Sequence, residues 1–228
     1  MILLVDGNNL VNAAYSVAKN NNNEGYIEIA SNIFKSMIYK LRRDFLAKEI
    51  YIAWDGSGGS EWRKKVLPEY KSGRSKEGKE DIFECLNLCR EIKEHNNFHF
   101  NGYEADDVIY ALCRAIKDEK IIVSADKDFI QIIQEGLANK LYNPIQKKFR
   151  EIPQECAISR SAICGADDSL KGVPGKGPAF FKKFIEGKVC LNKEENEIYE
   201  KHRLVVGLKY NPYKDQLLEL VNKKMYQI

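Results

Sequence analysis

The chain has 228 residues, of which 44% are hydrophobic and 30% charged, and it carries a net charge of +3 at neutral pH. That length supports one large domain, or a domain with an appendage, built on a real hydrophobic core. No apolar run approaches the roughly 20 residues of a membrane span, and the six cysteines form no C-x-x-C pair beside only three histidines, which excludes membrane-spanning, disulfide-framework and zinc-ribbon classes and leaves a reducing, cytoplasmic setting as the expectation.

In chain order, Met1 leads without a signal-like segment into an apolar strand over residues 2–5, buried on both faces, which ends at Asp6-Gly7-Asn8-Asn9. The run of asparagines at 20–23 reads as a loop, residues 26–47 as a long helix, and residues 50–54 as a second buried strand ending at Asp55-Gly56. Residues 57–79 are polar, rich in Gly and Lys, and read as a loop; 81–95 is helical by period. A helix whose apolar residues recur from Val108 runs to about 117. A third strand over 120–124 ends at Asp126-Lys127-Asp128, and Phe129 opens another helix. Residues 140–150 read as a hairpin around Asn143-Pro144. The remainder is helical, interrupted by Gly172-Val173-Pro174-Gly175-Lys176-Gly177. Strands alternating with helices predict an α/β fold with a central, largely parallel twisted sheet flanked by helices.

Ligands of such sheets bind beyond the carboxyl ends of the strands. Three strands here end in acids: Asp6, Asp55, and Asp126 with Asp128. One such Asp is commonly a turn former or helix cap. A fourth acidic group, Glu104, Asp106 and Asp107, falls at a helix start, where the helix dipole favours acids by up to about 1 kcal/mol. Two carboxylates about 4 Å apart repel by roughly 4 kcal/mol at an effective dielectric near 20, and no Lys or Arg lies within residues 102–113. A divalent cation is therefore the natural partner, and convergence of all seven acids describes a two-ion site for Mg2+ or Mn2+, suited to phosphodiester hydrolysis.

Basic residues supply a matching polyanion site. Arg63, Lys64 and Lys65 precede Tyr70, with Lys71 and Arg74 following it; cations beside a stacking aromatic suit nucleic acid. Around the glycine-rich turn stand Lys171, Lys176, Lys182 and Lys183, and glycines there let backbone N–H groups reach a phosphate at a helix start.

These motifs resemble the 5′-nuclease superfamily, in its bacteriophage and bacterial 5′→3′ exonuclease and flap endonuclease branch. The resemblance is carried by residues 4–10 (LVDGNNL), 54–56 (WDG), 67–74 (LPEYKSGR), 102–107 (GYEADD), 124–128 (SADKD) and 172–177 (GVPGKG), which follow the family's order. It implies a fold with a nuclease core over 1–150, a helical arch at about 72–96, and a helical region over 151–228 that holds a helix–three-turn–helix DNA clamp and packs on the core as one unit. It implies metal ligation by Asp6, Asp55, Glu104, Asp106 and Asp126 at a first ion, with Asp107, Asp128 and Asp168 toward a second. Tyr70 is then the residue that stacks on a nucleobase, and Lys71 and Arg74 are the basic pair gripping the reacting phosphate. Arg63, Arg160, Gly172, Gly175, Lys176 and Gly177 are expected to meet DNA, and a K+ ion is expected at the turn with Val173 as its candidate ligand. The implied function is a stand-alone, monomeric Mg2+-dependent nuclease of the bacterial or phage-infected cytoplasm. It would cut DNA with 5′ ends, flaps or branches, or RNA primers on DNA, in replication or primer removal.

The chain also departs from the family pattern. Gly165 stands where an Asp is usual and Ser169 where an Asn is usual, which predicts a weaker second ion; Asn12 stands near the place of a missing basic residue. The rival expectation is a DNA-binding protein that keeps the fold with impaired turnover. A haloacid-dehalogenase-type phosphatase needs Asp-x-Asp after the first strand, and Asp6-Gly7-Asn8 does not supply it.

Overall fold

A computed structural model describes residues 1–21, 24–73, 79–92, 95–166 and 170–227. At its centre lies β1 (Ile2–Asp6), in which Leu3, Leu4 and Val5 are wholly buried. Successive side chains of a strand point to opposite faces, so Leu3 and Val5 feed one core and Ile2 and Leu4 the other. Full burial of each such side chain is worth about 1.5–3 kcal/mol, which holds this strand in the middle. Around it stand β2 (Glu49–Trp54), β3 (Asn96–His99), β4 (Lys120–Val123), β5 (Lys140–Asn143) and β6 (Lys148–Phe149), in the order β3-β2-β1-β4-β5-β6. Only the β5–β6 pair is antiparallel, and it forms the expected hairpin.

One face of the sheet is covered by α1 (Gly7–Asn21), α2 (Tyr26–Asp44) and α4 (Lys79–Arg90), which close over Val5, Ile52 and Trp54. The other is covered by α5 (Ala105–Ala115), α6 (Ile130–Gln134) and α10 (Lys214–Met225). A third cluster joins the short α3 (Glu61–Val66) and Leu67 to α7 (Ala157–Cys164) and α9 (Lys193–Val206), while α8 (Pro178–Ile185) follows the glycine-rich turn. Gln131 fastens this third cluster to the sheet: its amide donates to the Val206 carbonyl at 3.1 Å and accepts from the Leu208 N–H at 2.8 Å. Among the described residues, no helix is long and apolar enough to cross a membrane.

Four local expectations need correction. Residues 7–21 are helical, because Leu10, Val11, Ala14, Tyr15 and Ala18 form a buried stripe at helical spacing; Asn20 and Asn21 belong to that helix, not to a loop. The 57–79 loop contains α3, which buries Trp62 and Arg63. The helix expected to end at 95 stops at Arg90. Strand β3 then adds an edge whose sequence, Asn96-Asn97-Phe98-His99, buries Phe98 alone and so shows no alternation. Gly7 has a packing reason: a Cβ there would lie 2.6 Å from the Trp54 ring.

The strand order reverses at β1, which sends β2 to one side and β4 to the other. That reversal opens a crevice at the carboxyl ends of β1 and β4.

Candidate metal centre

Parallel register sets Asp6 beside Ala53 and Val5 beside Val123, so the chain leaves β1, β2 and β4 along one edge of the sheet. Asp6 is 8% exposed. Its Oδ1 accepts from the Asn9 N–H at 3.1 Å, as a helix cap does, and its Oδ2 accepts from the Ser124 hydroxyl at 2.9 Å. Asp55 is held just as firmly: Oδ1 accepts from the Ala105 N–H at 2.7 Å and Oδ2 from the Asn8 amide at 2.9 Å, while Asn8 Oδ1 takes the Asp55 N–H at 3.1 Å. In the third loop the Asp126 N–H donates to Ser124 Oγ at 3.1 Å, and Asp126 Oδ1 accepts from the Asp128 N–H at 2.8 Å. Asn9 Oδ1 takes the Ala125 N–H at 3.0 Å. Asn8 and Asn9 thus tie the β2 and β4 loops to the first turn of α1, a task the sequence reading did not give them.

Each of these acids has a turn or cap role, and they also crowd one another. Burial first, and then the charges of Asp55 and Asp126, push the Asp6 carboxyl up to about 7, against the lowering effect of its bonds from Asn9 and Ser124. An acid raised by folding favours the fold while protonated, below its ordinary 3.8, and loses that contribution as pH rises through about 7. In chelator, the wild-type fold is therefore expected to lose about 4 kcal/mol from this group between those limits. Thermal melts of wild type and Asp6→Asn across that range check it; parallel Tm profiles would contradict the assignment.

The start of α5 differs from expectation. One oxygen each of Glu104, Asp106 and Asp107 lie within 4.8 Å of one another, and a cation does stand among them: Arg63, from a distant part of the chain. Its Nη1 meets Glu104 Oε2 at 2.7 Å and Asp107 Oδ2 at 2.9 Å, and its Nη2 meets Asp107 Oδ1 at 2.8 Å and lies 3.8 Å from Asp106 Oδ2. Its Nε donates to the Val205 carbonyl at 3.1 Å. Burial opposes the charge, but Asp107, Asp106 and Glu104 more than reverse that, and Arg63 stays protonated. At 1% exposure it cannot be the DNA contact expected on a solvated loop. Asp107, expected to face a second ion, is closed inside this pair at 2% exposure. Removing one partner of such a buried pair costs about 3–5 kcal/mol.

Lys71 sits in a left-handed conformation (φ 58°), with Nζ 2.5 Å from Glu104 Oε1 and 5.0 Å from the Tyr70 ring centre. Tyr70 donates to Glu104 Oε2 at 3.3 Å and packs in the third cluster. At 7% exposure it presents little of its ring to a base, contrary to the stacking expected of it. Arg74, with residues 75–78 and 93–94 of the expected arch, lies outside the described residues, as do Asp168 and Ser169; most of the remaining span is α4.

On the other side of the crevice, Asp126 and Asp128 share a cleft of about 560 Å3 with Asn9, Arg160, Cys164 and Gly165. Arg160 is exposed and 6.0 Å from the Phe181 ring centre. At the turn, the Val173 N–H donates to the Ile163 carbonyl at 2.9 Å, and the Val173 carbonyl takes the Lys176 N–H at 3.0 Å. Gly172 and Gly175 have positive φ, and Gly177 precedes Pro178 at the start of α8. Lys176 is engaged with Glu195 of α9 at 2.9 Å. Gly165 adopts φ 89° and ψ 154°, a region reserved for glycine, and a Cβ there would lie 2.7 Å from the Leu170 carbonyl oxygen. Absence of the usual Asp thus accompanies a loop path that an Asp could not follow.

Residues 1–159 match the family model described as the 5'-3' exonuclease, N-terminal resolvase-like domain. The chain belongs to the 5′-3′ exonuclease family. A 5'-3' exonuclease of Mycoplasmopsis pulmonis is 32% identical, over 84% of this chain and 68% of that one. A flap endonuclease Xni of Shewanella loihica is 30% identical, over 77% and 72% respectively. The bacteriophage T5 D15 protein, crystallised with metal ions, shares the fold with a TM-score of 0.77 at 18% identity, covering 99% of this chain and 98% of that one. This 5′-3′ exonuclease is accordingly a phosphodiesterase. Sequence reasoning missed Arg63 as a counter-ion because it sought one only near the acids. The available signal was an Arg beside Trp62 in an otherwise exposed-looking run, since a tryptophan marks a buried segment.

Proposed function

We propose that this nuclease cuts DNA at 5′ ends, flaps and branches with divalent metal ions, Mg2+ or Mn2+, held by Asp6, Asp55, Asp106 and Asp126, with Asp128 and Asp168 toward a weaker second ion. The observation that supports it most is the meeting of Asp6, Asp55 and Asp126 at one sheet edge, where burial first, and then the charges of Asp55 and Asp126, raise Asp6 to about 7. The donor set fits a hard cation. All are carboxylates, and each oxygen of Asp6 and Asp55 takes one hydrogen bond that aims it while a carboxylate oxygen has two lone pairs. When bound, such ions supply activated water and charge neutralisation at the phosphate.

The chain's own residues do the rest. Lys71, whose Nζ rests on Glu104 at the rim of the acids, moves onto a phosphoryl oxygen and neutralises charge developing there. Arg74, three residues further on, joins it on the grounds of the family resemblance. Arg160 and the backbone at Gly172, Gly175 and Gly177 take the duplex phosphates, a K+ ion beside Val173 completing the turn. Lys176 contributes once it leaves Glu195. Flap cutting in replication or primer removal, action on RNA primers, a monomeric state and a bacterial cytoplasmic setting belong to the same reading. The rival, a binding protein without turnover, is not favoured: the matched relatives are named exonucleases and flap endonucleases.

A labelled 5′-flap duplex incubated with the protein is expected to be cut with Mg2+ and left whole with chelator. Equal cutting in both would remove the metal requirement.

A further inference from the structure

We propose that Arg63 is a positioning residue of the metal centre, a built-in cation that keeps Asp107 and one oxygen of Glu104 for itself. Of the three acids at the start of α5, it thereby leaves Asp106 to the divalent ions. This rests on the metal reading above and narrows it. Asp107 gives both oxygens to Arg63, at 2.9 and 2.8 Å, in the two-pronged geometry that guanidinium and carboxylate prefer. Glu104 gives Oε2 to Arg63 and Oε1 to Lys71, so both of its oxygens already face side-chain cations. Asp106 is placed differently: its side chain is 27% exposed and 3.8 Å from Arg63. Its Oδ1 takes the Asp107 N–H at 2.7 Å, and the neighbouring Ala105 N–H joins the α5 start to Asp55 Oδ1 at 2.7 Å.

Arg63 acts through others. It fixes Glu104, and Glu104 fixes the resting place of Lys71. Its Nε grips the Val205 carbonyl, so that the position of α9 sets that of the acids. A divalent ion bound by Glu104 and Asp107 would have to displace a guanidinium that is 1% exposed.

Mn2+ titration, followed by the EPR signal of the free ion, tests this on wild type, Asp107→Asn and Asp106→Asn. Asp107→Asn is expected to bind as many Mn2+ ions as wild type, with affinity within about threefold, while Asp106→Asn weakens binding by about tenfold or more. An ion lost from Asp107→Asn overturns the proposal and leaves the metal reading standing; a wild-type chain that binds no Mn2+ overturns both. Should Asp107→Asn not fold, the double variant Arg63→Met with Asp107→Leu removes the pair as a unit and is read by the number of Mn2+ ions bound alone, because losing Arg63 also frees Glu104: an unchanged number supports the proposal and a lost ion overturns it. The positioning role is read by kinetics: Arg63→Lys keeps the charge but not the fork, and is expected to lower kcat on a flap duplex by about tenfold with KM within about threefold. Wild-type kcat in Arg63→Lys overturns it.

Discussion

Asp126→Asn is expected to lower flap cutting by about 1000-fold or more, equivalent to about 4 kcal/mol of lost transition-state stabilisation, while duplex binding survives. Asp126 stands at the carboxyl end of β4, across the crevice from Asp6, and its charge is one of those that raise Asp6. Asparagine keeps the carbonyl oxygen that accepts the Asp128 N–H and leaves the backbone bond to Ser124 Oγ intact. The loop therefore holds its shape and only the charge is lost. That charge is what a divalent cation needs, whereas the proposed duplex contacts are made by other groups, Arg160 of the same cleft and the glycine-rich turn. Single-turnover cleavage and a gel-shift titration of the same flap duplex separate the two effects. Unaltered cutting would remove Asp126 from the centre, and loss of binding together with cutting would make it a folding residue.

Lys71→Met is expected to reduce kcat by about 100- to 1000-fold, the usual loss when one donor to a transition-state oxyanion is removed. The ammonium rests on Glu104 beside the Tyr70 ring, at the rim of the acids. Methionine keeps the apolar stem and removes the charge. Glu104 retains Arg63, so the acid cluster does not collapse when Lys71 is lost. A rise in KM with kcat unchanged would show that Lys71 only binds substrate and does not stabilise the transition state.

Much of the architecture was legible from local patterns. Continuous apolar runs ending in Asp marked β1, β2 and β4, and their burial on both faces required helices on each side. The hairpin at Asn143-Pro144 was equally plain. Strand β3 was not, since an edge strand that buries only Phe98 carries no periodic signal. Helix α1 was legible in principle, from Leu10, Val11, Ala14 and Tyr15, but only the asparagine run at 20–23 was read there, as a loop. At Gly165 the sequence registered a missing acid, and only the fold shows a backbone that excludes any side chain there.

Acids at strand ends, their order along the chain and the motifs of the 5′-3′ exonuclease family are properties of the sequence by itself, because strand and helix periods are local and a parallel sheet brings its carboxyl ends to one edge. Which cation each acid would face was decided by tertiary structure alone. Arg63 lies 41 residues from Glu104 in sequence and 2.7 Å from it in the fold, while its Nε holds the Val205 carbonyl of α9. Coulomb energy depends on distance in space and on burial, and sequence separation encodes neither.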